Sequence, residues 1–100
     1  MFQIANAEYG IEKKRSENGT ITALYIHQRS SDNVMHSLGW YSHQAIIDHI
    51  NQGHTYMTIF INGSWSKGAD VSVVRTAHGE YLRTDRNQTS ADNLGNIPEG

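Results

Sequence analysis

Two arginines and two polar residues near the end of the chain have the side chains best suited to binding an anion. Arg83 and Arg86 flank Asp85, and Asp92 and Asn93 follow a few positions later. Paired guanidinium groups bind a carboxylate or a phosphate through two parallel hydrogen bonds. In the structural alternative, Arg83 pairs with Asp92 and holds the C-terminal segment against the sheet. We weight that alternative above anion binding because semi-buried polar groups are usually paired.

Three aromatic residues are predicted to lie in or beside loops: Trp40, Tyr41 and Trp65. Loop aromatics with polar neighbours form stacking platforms for a nucleobase or anchors at a protein interface. A lean core also recruits tryptophan for its large apolar area, so the same rings would serve equally well as a cover for the sheet. The binding residues predicted from the sequence are Trp40, Trp65, Arg83, Arg86, Asp92 and Asn93.

The acidic and amide residues that follow the last predicted strand resemble the start of a calcium-binding loop. Asp85, Asn87 and Thr89 have the alternate spacing of calcium ligands. The sixth position of such a loop needs a glycine and is Ser90, and the twelfth needs a bidentate acid and is Asn96, followed by Ile97. Both departures argue against calcium.

The six histidines raise the question of a transition-metal site: His27, His36, His43, His49, His54 and His78. A zinc site needs three or four converging ligands. His43 and His49 do not share a helix face, and His49 and His54 lie on either side of the predicted helix end. Scattered surface histidines are the default interpretation, so we predict no metal and no cofactor. A histidine-based metal site or hydrolase is kept as a minor alternative.

The chain has none of the short motifs that mark common enzyme classes. No serine lies in a Gly-x-Ser-x-Gly elbow, and no phosphate-binding or dinucleotide-binding glycine motif is present. The aspartates show no paired arrangement that spacing alone can support. Enzymatic activity is therefore left undetermined, with the weight toward a non-enzymatic protein.

Length and charge limit the classes of partner. The chain has 100 residues and a formal net charge of −2, with 8 lysines and arginines, of which only Lys13, Lys14 and Arg15 are clustered. This balance argues against broad binding to duplex nucleic acid, which needs an extended basic face. A single domain over residues 1–100 is expected. The absence of cysteine and of a long apolar run predicts a cytoplasmic protein with no membrane segment.

Local patterns predict the elements of the first two thirds of the chain. Residues 20–27 are rich in β-branched and aromatic side chains, and Asn18-Gly19 before them is a hairpin turn signal. We therefore pair residues 20–27 with an earlier strand within residues 2–15, in which Gly10 marks a bulge or a break. Ser42 is a helix N-cap, and apolar residues at helical spacing follow it up to Gly53.

Strands are also predicted over residues 56–61, 71–76 and 80–84, with loops at 29–33 and 65–70. Apolar side chains on both faces of residues 56–61 indicate a central strand. The resulting fold is an α+β domain with a mainly antiparallel sheet of four to five strands and one short helix on one face. Residues 85–100 are predicted to be an irregular C-terminal segment packed through Leu94, Ile97 and Pro98.

Two strings near the C-terminus carry a resemblance to a known family. Residues 80–85 read EYLRTD, and residues 91–98 read ADNLGNIP. Together they resemble domain-of-unknown-function family 3892, and the upstream strand–helix–strand order, with the helix ending in Ile-x-x-Gly at residues 50–53, agrees. The sequence departs from the family pattern after Arg29. The resemblance implies a small bacterial or mobile-element accessory protein in the cytosol and supplies no function.

Two hypotheses about function follow from the sequence. The first is a non-enzymatic binding module that uses the aromatics and arginines to hold a small anion, a nucleotide or a protein partner. The second is a structural or inhibitory interaction protein, such as a homodimer that pairs through an exposed strand edge.

Overall fold

The computed structural model describes residues 7–18, 20–84, 93–95 and 97–100 of the chain. Six strands and one helix follow one another along these residues. They are β1 (Tyr9–Glu17), β2 (Thr20–Arg29), β3 (Met35–Ser42), α1 (His43–Asn51), β4 (Tyr56–Asn62), β5 (Ser64–Thr76) and β6 (Gly79–Arg83).

The strands form one mixed sheet in the order β3-β2-β1-β4-β5-β6. Each set of three consecutive strands is an antiparallel meander, and the first strands of the two meanders meet in the middle. That central contact between β1 and β4 is parallel and short, with Tyr9, Gly10 and Ile11 opposite Tyr56, Met57 and Thr58. The helix makes the crossover between the meanders, as parallel neighbours require.

The predicted α+β class is confirmed, but the predicted sheet of four to five mainly antiparallel strands is wrong. The strand missed by the sequence analysis is β3, whose pattern is broken by a bulge where Ile26 faces Gly39 and His27 faces Ser37. Leu38 is the extra residue, so the alternation that identifies a strand fails there. The parallel seam was also missed, because it joins segments distant in sequence.

The predicted helix is confirmed, together with its start and end. The Ser42 side chain accepts a hydrogen bond of 3.1 Å from the backbone N–H of Ala45, which satisfies one unpaired donor of the first turn. Ile46 and Ile47 are buried against the sheet. Gly53 has φ +106°, the left-handed conformation that follows many helices. Among the described residues no helix reaches the length and apolarity of a membrane span.

Residues 65–70, predicted as a polar loop, instead form the first part of β5 and pair with β4. Their side chains alternate between exposed and half-buried, so the segment is a strand with few apolar residues to reveal it. The predicted strands over residues 71–76 and 80–84 are confirmed as the second part of β5 and as β6. A turn at residues 77–78 joins β5 to β6, and Gly79 follows the turn with φ +136°.

Buried side chains form two clusters, and β4 contributes to both. The larger cluster lies between the sheet and α1, and contains Ile11, Leu24, Ile26, Ile46 and Ile47 among others. The smaller cluster contains Ala7, Met57 and Ile59, with Met35 and Trp65 packed against it. Since Tyr56 belongs to the larger cluster and Met57 to the smaller, β4 buries both faces, as expected of a central strand.

The C-terminal residues continue the sheet where β4 leaves β1. The backbone N–H of Lys14 donates to the Pro98 carbonyl at 2.9 Å, and the N–H of Gly100 donates to the Lys14 carbonyl at 2.9 Å. Leu94 and Ile97 are buried in the larger cluster, as predicted, whereas Pro98 is exposed. The end of the chain is therefore held against β1 by backbone pairing and by two apolar side chains.

Candidate functional site

A bulge in β1 decides which side chains face away from the helix. The register passes from Ile11 opposite Ile26 to Lys13 opposite Tyr25, so Glu12 is an extra residue. Ile11 lies on the helix side of the sheet, and strict alternation would return Lys13 to that side. The bulge instead places Lys13 beside Tyr25, on the opposite face of the sheet.

Four side chains on this face form a surface that we call the Trp40 platform: Lys13, Arg15, Tyr25 and Trp40. Lys13, Tyr25 and Trp40 are direct neighbours across three strands. Lys13 Nζ lies 5.0 Å from the centroid of the Tyr25 ring and 5.9 Å from that of Trp40. The Tyr25 and Trp40 rings meet edge to face with centroids 5.3 Å apart. Arg15 Cζ lies 4.0 Å from the centroid of the Trp40 ring.

The platform combines aromatic area with positive charge. The tyrosine and tryptophan are half-buried, so each is fixed by packing and still reaches solvent. Ala23, opposite Arg15 in the ladder, is small and leaves the arginine room to extend to Trp40. Arginine held against an aromatic face keeps a planar cationic surface on which a base can stack. Gly100, whose N–H pairs with Lys14, lies against the Lys13 side chain and the edge of the Trp40 ring. The part of the platform that Gly100 leaves open can hold a flat, electron-rich ring next to an anionic group.

A hydrogen-bonded pair of a buried histidine and a partly exposed glutamate lies beside the platform. His27 is 7% exposed, and its Nε2 lies 2.7 Å from Glu12 Oε1. The other ring nitrogen, Nδ1, is buried and has no hydrogen-bond partner among the described residues. The Tyr25 ring lies next to His27 with centroids 5.3 Å apart. Glu12 is the bulge residue, so the same irregularity that turns Lys13 to this face supplies the partner of this histidine.

A second polar cluster lies where α1 ends and β4 begins. His49 Nδ1 and the Tyr56 hydroxyl are 2.7 Å apart, and the His49 and His54 rings stack with centroids 3.8 Å apart. Burial lowers the pKa of His49, with a smaller contribution from His54, while Glu8 acts in the opposite direction. Burial also raises the pKa of the Tyr56 hydroxyl. Both groups are therefore neutral at physiological pH.

The cluster is not arranged as a metal centre. His54 Nδ1 lies 3.4 Å from Glu8 Oε1, and no third metal-binding side chain is grouped with this pair among the described residues. Within the described ranges, no three histidine, cysteine or acidic side chains are grouped to hold a metal ion. The predicted calcium-loop residues 85–90 lie outside those ranges.

The structure separates the binding residues predicted from the sequence. Trp40 belongs to the platform, whereas Trp65 packs against the smaller core cluster and donates from Nε1 to the Asn33 carbonyl at 2.9 Å. Both lie in strands, so their predicted placement in loops is wrong. Arg83 is 6% exposed in β6.

The remaining predicted residues lie near or beyond the end of β6. Asn93 is exposed, and its side-chain oxygen accepts from the Gly95 N–H at 3.1 Å. Its backbone pairs with β6 through two bonds of 2.8 Å, to Leu82 and from Thr84. Arg86 and Asp92 lie outside the described residues, and so does the predicted pairing of Arg83 with Asp92.

Three platform residues, Lys13, Arg15 and Tyr25, were not predicted from the sequence as site residues. The basic run at 13–15 is visible in the sequence, and Tyr25 lies in a predicted strand. The missing information was register: without the bulge, Lys13 and Arg15 would lie on the helix side.

The fold and these surfaces define a small α+β protein with a mixed six-stranded sheet, a helix on one face and an aromatic, basic platform on the other. The chain belongs to the family described as "protein of unknown function (DUF3892)", which matches residues 10–98. No curated protein and no solved structure shows significant similarity to it.

Proposed function

We propose that this domain is a non-enzymatic binding module that holds a nucleotide on the Trp40 platform. The base would stack on the aromatic and guanidinium surface of Trp40 and Arg15, and the phosphate would lie near Lys13. The observation that carries this proposal is the cross-strand row of Lys13, Tyr25 and Trp40 with Arg15 against the tryptophan ring.

The magnitudes favour a small ligand. Stacking of a base on an aromatic side chain contributes about 1–3 kcal/mol per base in single-stranded nucleic acid complexes. Two cations can neutralise only one or two phosphates, and the whole chain carries a net charge of −2. A duplex would therefore gain little, whereas a mononucleotide or a short single strand matches both the ring area and the charge.

Tryptophan fluorescence offers a direct test, because the chain has 2 tryptophans. In a Trp65→Phe background Trp40 is the only indole, and we expect titration with AMP to quench its emission saturably. Lys13→Ala together with Arg15→Ala should weaken the affinity at least tenfold. Lys67→Ala removes a lysine of β5 that pairs with Asp70 at 2.9 Å, and serves as the matched control.

Comparison of AMP with a short oligothymidylate distinguishes a free nucleotide from single-stranded nucleic acid as the natural ligand. A short oligothymidylate that binds more tightly than AMP would indicate single-stranded nucleic acid, and the reverse would indicate a free nucleotide. The proposal is wrong if Trp40 emission responds to neither, or if Lys67→Ala weakens binding as much as the double substitution does.

The strand-edge homodimer predicted from the sequence has one supporting observation. In the described part of the chain β3 pairs only with β2. Its sequence MHSLGWYS has no charged residue and no proline, so the bulge at Leu38 is the only one of these edge protections that β3 has. A domain that sediments as a monomer at high concentration would count against this alternative.

A further inference from the structure

A groove on the helix side of the sheet is separate from the Trp40 platform. It lies between α1 and β3 and has a volume of about 370 Å³. Ile26 and Ile46 are almost fully buried there, whereas Leu38 and Tyr41 are each 43% exposed. The volume is within the range of about 300–1,000 Å³ typical of small-molecule sites.

The groove exists because α1 has a small side chain, Ala45, where it faces β3. Ala45 and His49 are one turn apart on α1, and Gln52 caps the end of the helix on the same side; all three line the groove. The larger residues Ile46 and Ile47 are buried in the core. The small side chain of Ala45 therefore leaves Tyr41 and Leu38 without a helix residue that covers them.

The lining is aromatic and aliphatic, and it includes no lysine, arginine, aspartate or glutamate. The neighbouring pocket differs in this respect, since Asp70 and Arg75 line it. A charged ligand would find no opposite charge among the groove residues, and its desolvation would be costly. The groove therefore suits a neutral molecule with a flat apolar body.

Two polar groups at the helix side of the groove define what the ligand must carry. The Nδ1 atom of His49 is engaged by the Tyr56 hydroxyl at 2.7 Å, which leaves Nε2 without a hydrogen-bond partner among the described residues. The side-chain amide of Gln52 is also unpaired within that part of the chain. A carboxamide has both a donor and an acceptor, so it can satisfy either tautomer of the histidine together with the glutamine.

We infer that the groove between α1 and β3 binds a neutral aromatic carboxamide, with its ring against Leu38 and Tyr41 and its amide at His49 and Gln52. This site does not depend on the Trp40 platform, because the two lie on opposite faces of the sheet. His49 and Gln52 supply the polar groups of the site, and Leu38 and Tyr41 of β3 supply its apolar wall.

The test uses benzamide and two-dimensional amide NMR on the full chain. We expect saturable shifts at Ala45, Gln52 and Tyr41 at millimolar benzamide, and at least tenfold weaker binding in Ala45→Leu, whose larger side chain fills the groove. Gln44→Leu adds the same side chain at an exposed neighbouring position and should bind as the wild type does.

Two comparisons make the inference specific. Toluene lacks the amide and should bind at least tenfold more weakly than benzamide, and His49→Phe should remove most of that difference while it keeps an aromatic wall. Absence of saturable shifts at these amides would overturn the proposal. Equal affinity of benzamide for the wild type and Ala45→Leu, with both variants folded by circular dichroism, would overturn it as well.

Discussion

Replacement of Gly10 by valine is expected to destabilise the domain by about 3 kcal/mol. A β-carbon at this position would lie 2.7 Å from Cδ1 and 2.8 Å from Cγ2 of Ile59. Ile59 is fully buried, and Gly10 is in the short parallel contact between β1 and β4, so neither strand has room to move. Urea unfolding monitored by circular dichroism would measure the loss.

A double substitution tests whether this close approach is the cause. Ile59→Ala alone should cost about 2–5 kcal/mol through the cavity it leaves, and Gly10→Ala alone should cost less than valine. If the side chains at positions 10 and 59 compete for one space, the variant that carries both Gly10→Ala and Ile59→Ala should lose less stability than the two single losses added together. Additive losses, or a Gly10→Val protein as stable as the wild type, would contradict the packing described here.

Removal of the Glu12 carboxylate is expected to destabilise the domain through the buried histidine that it pairs with. Glu12→Ala would leave His27 buried with both ring nitrogens unpaired, since Nδ1 already lacks a partner among the described residues. An unsatisfied buried polar group costs about 1–3 kcal/mol. Thermal and urea unfolding at neutral pH would measure the decrease.

Replacement of the histidine partner should reduce the stability of the domain much less. His27→Leu removes the buried imidazole and leaves Glu12, which is partly exposed and can be hydrated. Apolar replacement of an imperfectly satisfied polar group is often close to neutral. If His27→Leu costs as much stability as Glu12→Ala, the histidine contributes through its packing and the account based on hydrogen bonding fails.

Elements with local signals were predicted correctly from the sequence. The helix has its cap at Ser42 and its apolar stripe, and the first hairpin has Asn18 at a position of positive φ. The strand at residues 56–61 was recognised as central because both of its faces are apolar. In each case, a few neighbouring residues carry the physical cause of the structure.

The elements that escaped prediction depend on distant partners. The first part of β5 is exposed and polar, so only its pairing with β4 makes it a strand. The direction in which Lys13 and Arg15 face depends on one bulge, which lies at Glu12 and not at the predicted position, Gly10. The Trp40 platform could not be derived from the sequence for this reason, although the basic run at residues 13–15 and Trp40 itself are visible there.

The parallel seam between the two meanders has a consequence for the rate of folding. Each meander closes through short turns, but the seam brings together Glu8 and Thr55, which are 47 positions apart. Distant contacts slow the search for the native state, so a domain of this topology should fold on the order of milliseconds to seconds. The β1–β4 pairing can form only after both meanders have formed, whereas each meander can form earlier as a local unit.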